Sequence, residues 1–440
     1  MTMTSSNPLR ALLVCLAAGS ALALGACTDD GPASDKGDET ESGDGDGEGD
    51  DATGDGDGDE AESGDGDGDP GDGDGDKPGL GDTPNVLCEA ATVNLAAIVA
   101  ENQSGSPDPL AVEAAYVDTG LQEFVQLAGA VTGRIEAGVL LDDAAILASI
   151  DAGGPLDLID VEWRVYLAMQ QYIRHEIADV AAMVPDPAND PALLYGRWDA
   201  AYCYWDGALR PLAQIADGIG LPGDSIEADI DAGFLRGHEG IEGEQPWAID
   251  PWELGPAKQI VEKSTFTVAH RLVMLWSQDA ASSNSAELAH AAYGAFQMIE
   301  DRMAGRNTPA IATIEAALLG DPSAIDPERI LRDMNIAFAK RTRKYTDYAL
   351  PEIGDLMGTP EGSIGANEGS IYSKLIEPFM LELDGFDHDG YRQAWADWID
   401  AVVNDDVAAG ELAAAVLVDW NCQFQDALGI AECTDSKDEE

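Results

Sequence analysis

From residue 85 onward the apolar positions recur with helical spacing almost everywhere. Residues 160–183 place Val161, Val165, Ala168, Tyr172, Ile173, Ile177 and Val180 on one face, the i, i+3/i+4, i+7 pattern of a half-buried helix. Similar periodicity predicts helices near 109–131, 190–217, 257–279, 284–305, 327–350, 367–382, 389–403 and 407–427. Asp-Pro pairs at 108–109, 186–187 and 326–327 precede helical runs, as expected for an Asp cap followed by Pro in the first turn. No stretch shows sustained strand alternation with hairpin turns. The expected fold is all-α: a multi-helix bundle over 85–435, with two fused helical subdomains as a variant permitted by its length.

Two segments precede this domain. Residues 11–24 are continuously apolar or small, too short to span a bilayer, and lead into Leu24-Gly25-Ala26-Cys27. That sequence resembles the bacterial lipobox, which implies a signal peptide over 1–26 and a lipid on Cys27. Several acyl chains would hold the protein to a membrane without a transmembrane helix. Thr28 stands where an aspartate is associated with inner-membrane retention, so the resemblance favours the outer membrane, on its periplasmic or surface side.

Residues 27–84 are built on Gly-Asp repeats, including 54–59, 64–69 and 71–76, with 23 acidic and two basic residues over 28–86. Such chain has little to bury and repels itself. It is expected to be a disordered tether, spanning roughly 40 Å root-mean-square before repulsion lengthens it. Asp44, Asp46 and Glu48 imitate the start of an EF-hand loop, but flanking helices are missing and position twelve is Asp55.

Charge narrows the partners. The chain carries −61, of which −41 belongs to the domain, so nucleic acid is excluded for want of a basic surface. Cationic ligands, or solubility alone, suit such a field; nothing in the sequence identifies a protein partner. Apart from the lipidated Cys27, Cys88, Cys203, Cys422 and Cys433 remain after cleavage, an even number that in an oxidising compartment suggests two disulfides with three possible pairings. Cys422–Cys433 as a local staple with Cys88–Cys203 as a long tie is the favoured set.

Catalytic signatures such as HExxH, G-x-S-x-G and the P-loop are missing, which argues against an enzyme. With five histidines, the search for a site is short. Arg236-Gly237-His238-Glu239-Gly240-Ile241-Glu242-Gly243-Glu244 concentrates an imidazole and three carboxylates, a donor mixture suited to iron. On a helix, His238 and Glu242 would share a face; the glycines argue instead for a turn close to a ligand, or for a plain polar loop. Weaker candidate ligands are His175 and Glu176, four and three residues before Asp179, and Glu368, which is also placed to offset a helix dipole. The basic run Lys340-Arg341-Thr342-Arg343-Lys344 suits an anion or acidic neighbours. Trp198, Tyr202, Tyr204 and Trp205 read as core.

Trp198-Asp199-x-Ala201-Tyr202-x-Tyr204-Trp205, the helix Lys258–Ser277 and Glu368-Gly369-x-x-Tyr372-x-x-x-Ile376-x-Pro378 together resemble the algal iron-assimilation, or high-CO2-inducible periplasmic, proteins. That resemblance covers most of 150–400. It implies a secreted helical protein linked to iron uptake, whose Glu-x-x-Glu motif falls here on Glu239 and Glu242. A second likeness is to imelysin-like iron-regulated lipoproteins, whose Gly-x-His-x-x-Glu is displaced by one residue here. The expected function is lipid-anchored capture of Fe2+ or Fe3+. The alternatives are a helical interaction or structural lipoprotein without a metal, and a metal-dependent hydrolase in which one Glu of the cluster activates a bound water.

Overall fold

The computed structural model describes residues 79–183, 191–241, 250–347 and 356–435. They form an all-α bundle with one two-strand hairpin. Its helices are α1 Val86–Gln103, α2 Pro109–Tyr116, α3 Gly120–Val131, α4 Leu141–Ala152, α5 Pro155–Ala182, α6 Pro191–Tyr204, α7 Arg210–Asp217 and α8 Ile226–Ile241. There follow α9 Pro251–Ser283, α10 Ala286–Gln297, α11 Glu300–Met303, α12 Thr308–Leu318, α13 Pro327–Asp347, α14 Pro360–Met380, α15 His388–Val403 and α16 Val407–Ala427. A π-turn at Trp205–Leu209 carries α6 into α7. The hairpin pairs β1 Ile135–Glu136 with β2 Val139–Leu140, turning through Ala137 and Gly138 at positive φ.

The elements start where local chemistry satisfies their first N–H groups. Asp108, Thr119, Asp250, Ser285, Thr359, Asp387 and Asp406 each accept a backbone hydrogen bond one turn into the helix that follows. The run expected as one helix over 109–131 is two, because Asp118 takes a left-handed conformation (φ 57°) and Thr119 caps a fresh start. The run over 284–305 likewise divides into α10 and α11.

α9 is the axis of the molecule. At 33 residues it extends about 50 Å, and it packs against α5, α7, α8, α10, α13 and α14. Pro256 within it has no N–H to give the Trp252 carbonyl. Arg236 of α8 donates to that carbonyl instead, at 3.2 Å. α8 lies close against α9 and α6 because it presents glycines there. A Cβ on Gly237 would sit 1.9 Å from the Trp198 ring, and one on Gly233 2.8 Å from Ile260. One hydrophobic cluster runs through the fold from Cys88 to Leu428.

Cys88–Cys203 ties α1 to α6, and Cys422–Cys433 closes a short loop after α16. The favoured pairing is the one present. Two disulfides indicate an oxidising, extracytoplasmic setting. Among the described residues, no helix is long and apolar enough to cross a membrane.

Loop length ranks the two bridges. Cysteines separated by 115 residues restrict the unfolded chain more than cysteines separated by 11. Replacing Cys88 and Cys203 by Ala should therefore cost about 5 kcal/mol, against about 3 for Cys422 and Cys433. Urea unfolding of the two double variants measures the order. Gly237→Ala should cost about 1–3 kcal/mol through overpacking against Trp198.

Candidate functional site

Of the four clustered candidates, His238 and Glu239 lie in α8; Glu242 and Glu244 lie outside the described residues. The glycine-rich segment is helical through Ile241, its glycines receiving Trp198 and α9 rather than opening a turn. His238 is buried at 4% exposure, its ring 4.7 Å from that of Tyr195. Among the described residues its Nε2 has no hydrogen-bond partner, and it sits 3.9 Å from Asp199 Oδ1. Asp199 is itself engaged: its two oxygens accept the backbone N–H groups of Gly81 (3.1 Å) and Thr83 (3.2 Å). Glu239, about 100° further round the helix, is exposed.

The carboxylates among the weaker candidates are engaged by cations. Glu176 is buried and accepts from Arg197 Nε at 2.7 Å, while Arg197 Nη2 also reaches Asp179 at 2.7 Å. His175 Nε2 stands 3.5 Å from Asp179. This group is an arginine clamp between α5 and α6, and Arg197 is the member the local motif did not reveal. Glu368 receives Lys263 Nζ at 3.3 Å.

Lys263 opens onto a buried charged layer. Its Nζ also pairs with Glu262 at 3.0 Å, and both residues are buried on α9. Arg174 of α5 bridges Glu262 (3.2 Å) and Asp301 (3.1 Å), and Arg302 pairs with Asp301. Arg174, Arg302 and Lys263 stand 5.0, 5.3 and 5.6 Å from the Phe266 ring. From the basic run, Arg341 joins this layer: it donates to the Arg302 carbonyl and lies 6.0 Å over Tyr372. Burial would raise the Glu262 carboxyl, but Lys263 and Arg174 outweigh it and hold the group at about 2.

Another buried carboxylate, Glu377, drew no attention in the sequence except as the residue before Pro378. It is fully enclosed and receives Ser373 Oγ (2.6 Å), Arg392 Nη1 (3.1 Å) and His388 Nε2 (3.2 Å). Ser373 and His388 both engage the carboxylate rather than each other, so no nucleophile–base pair forms here. His270 on α9 is fully buried and bonded to Asn335 at 3.0 Å; burial pushes its imidazole down to about 4 despite that bond. Among the described residues, no group of three or more His, Cys, Asp or Glu side chains is placed to hold a metal ion. The arrangement is one of buried ion pairs and half-buried clamps.

The pH dependence of stability follows. Between about pH 6.5 and 4 the unfolded chain binds a proton at His270 that the folded chain refuses, so stability falls as pH is lowered across that window, by up to about 3 kcal/mol. Glu262 is depressed in the fold, so its contribution is present above about 4.5 and lost as pH falls from there toward 2. Chemical denaturation between pH 3 and 7 should show His270→Gln flattening the upper window only, and Glu262→Gln the lower window only.

No family model, no characterised protein and no solved structure matches this chain.

Proposed function

We propose that the protein is a lipid-anchored helical module of the cell envelope that works by binding rather than by bond-making chemistry. Cys27 and the acidic repeats, which lie outside the described residues, supply the anchor and the spacer in this reading. The observation that carries it is the attachment at the start of the fold. Gly81 and Thr83 donate to the buried Asp199, Asn85 caps α1, and three residues later Cys88 is bonded to Cys203. A covalent bond and a buried carboxylate fix the first described turns to α6, which suits a domain held by its N-terminal chain. The Gly-Asp spacer would keep it clear of a surface.

Detergent phase partition of the full-length chain from a bacterial host tests the anchor. The wild type should enter the detergent phase and Cys27→Ser the aqueous phase. Both forms in the aqueous phase would overturn the anchor.

A second reading, capture of Fe2+ or Fe3+, draws on the Nε2 of the buried His238, which has no hydrogen-bond partner among the described residues. Glu239, Glu242 and Glu244 would then have to complete the site. Calorimetry should show iron binding at least tenfold tighter than Mg2+, with His238→Gln abolishing the difference. Equal affinity for the two metals would remove iron from the account.

A further inference from the structure

α2 and α4 meet where Gly153, at φ 65°, ends α4 beside Pro109. Between the two helices runs a groove of about 610 Å³. Leu110 and Val117 line it from one side, Leu147 and Ile150 from the other, and each wall carries one carboxylate, Glu113 or Asp151. We propose that this groove docks a basic amphipathic helix of a partner protein, with its apolar stripe between the walls and its cations over the two carboxylates.

Apolar surface is left open at this place. Leu110 is 71% exposed and Leu147 37%, and Ala114 and Ala144, a turn away on each helix, are exposed as well. A contiguous open apolar surface rimmed by polar groups marks an interaction site more often than scattered single residues do. Its rims are unmatched. Glu113 and Asp151 are exposed, and among the described residues neither forms an ion pair.

Charge selects the occupant. Residues 79–163 contain 14 Asp and Glu but one cation, Arg134, which Asp142 holds at 2.6 and 2.8 Å. Farther along the chain, Arg197, Arg210 and Arg392 draw carboxylates into pairs; this stretch has no second cation of its own to do so. A second copy would bring another −61 to the contact, and the Gly-Asp repeats are strongly acidic, so both are repelled. An uncharged apolar segment would leave the rims unmatched. A helix whose apolar stripe is flanked on both sides by Lys or Arg meets the groove and both walls together.

This inference rests on the binding role proposed above and names the partner for it. It uses neither Cys27 nor His238, so its failure is distinguishable from that of the anchor or of iron capture. The test is fluorescence anisotropy of the full chain, near physiological salt, with a labelled Leu/Lys peptide of about five helical turns. A scrambled peptide of the same composition reports attraction to the acidic repeats alone. The amphipathic peptide should bind at least about tenfold more tightly than the scrambled one. Leu110→Ser with Leu147→Ser should erase that difference, and Glu113→Gln with Asp151→Asn should reduce it about threefold. Leu412→Ser, at an equally exposed apolar position on α16, should leave it intact. Equal binding of the two peptides, a difference unchanged in either double variant, or one that Leu412→Ser also removes would overturn the proposal. So would a dimer in sedimentation that Leu110→Ser with Leu147→Ser dissociates, which would assign the groove to a second copy.

Discussion

α9 has helices on nearly every side, so the polar groups along its middle must be satisfied from within the protein. Glu262, Lys263, Thr265, His270 and Ser277 are all buried there. Burying a charge costs several kcal/mol, and only close pairing with further hydrogen bonds offsets that cost. Lys263 therefore sits between Glu262 and Glu368, and Arg174 and Arg302 close the layer over Phe266. Thr265 accepts from Gln170, and His270 is bonded to Asn335. These contacts set how α5, α13 and α14 meet α9.

The same constraint explains how so acidic a chain folds. With 23 Lys and Arg against 84 Asp and Glu, each cation is valuable as a link between elements. Arg197 joins α6 to α5 through two carboxylates, and Arg210 gathers Asp206, Glu227 and Asp231. Arg392 reaches both Glu377 and Asp224. Carboxylates held this way are poorly placed to become metal ligands, because a cation already occupies their lone pairs. Glu176 and Glu368 are in that position. His238 differs in keeping a nitrogen without a partner among the described residues.

Local periodicity carried much of this fold. Val161, Val165, Ala168, Tyr172, Ile173, Ile177 and Val180 are all buried, and Asp108 and Asp326 cap as expected. α1, α4 and α12 were not anticipated. The last two are short and rich in alanine, so their apolar stripes are faint. α8 was ambiguous for a physical reason: each glycine costs a helix about 1 kcal/mol, and only the contacts with Trp198 and Ile260 show why it is worth having. The charged layer was invisible because its partners are distant in sequence. Arg174 and Glu262 are 88 residues apart, and no motif window spans that.

A double-mutant cycle between Lys263 and Glu368 probes the buried layer most directly. Lys263→Met alone leaves the half-buried Glu368 without its cation and the buried Glu262 with Arg174 alone, and should cost about 3–5 kcal/mol. Adding Glu368→Leu should recover part of that loss, so that the pair costs less than the sum of the single variants by about 1–3 kcal/mol. Additivity within about 0.5 kcal/mol would mean the two charges do not depend on each other, and would contradict a core organised around the satisfaction of α9.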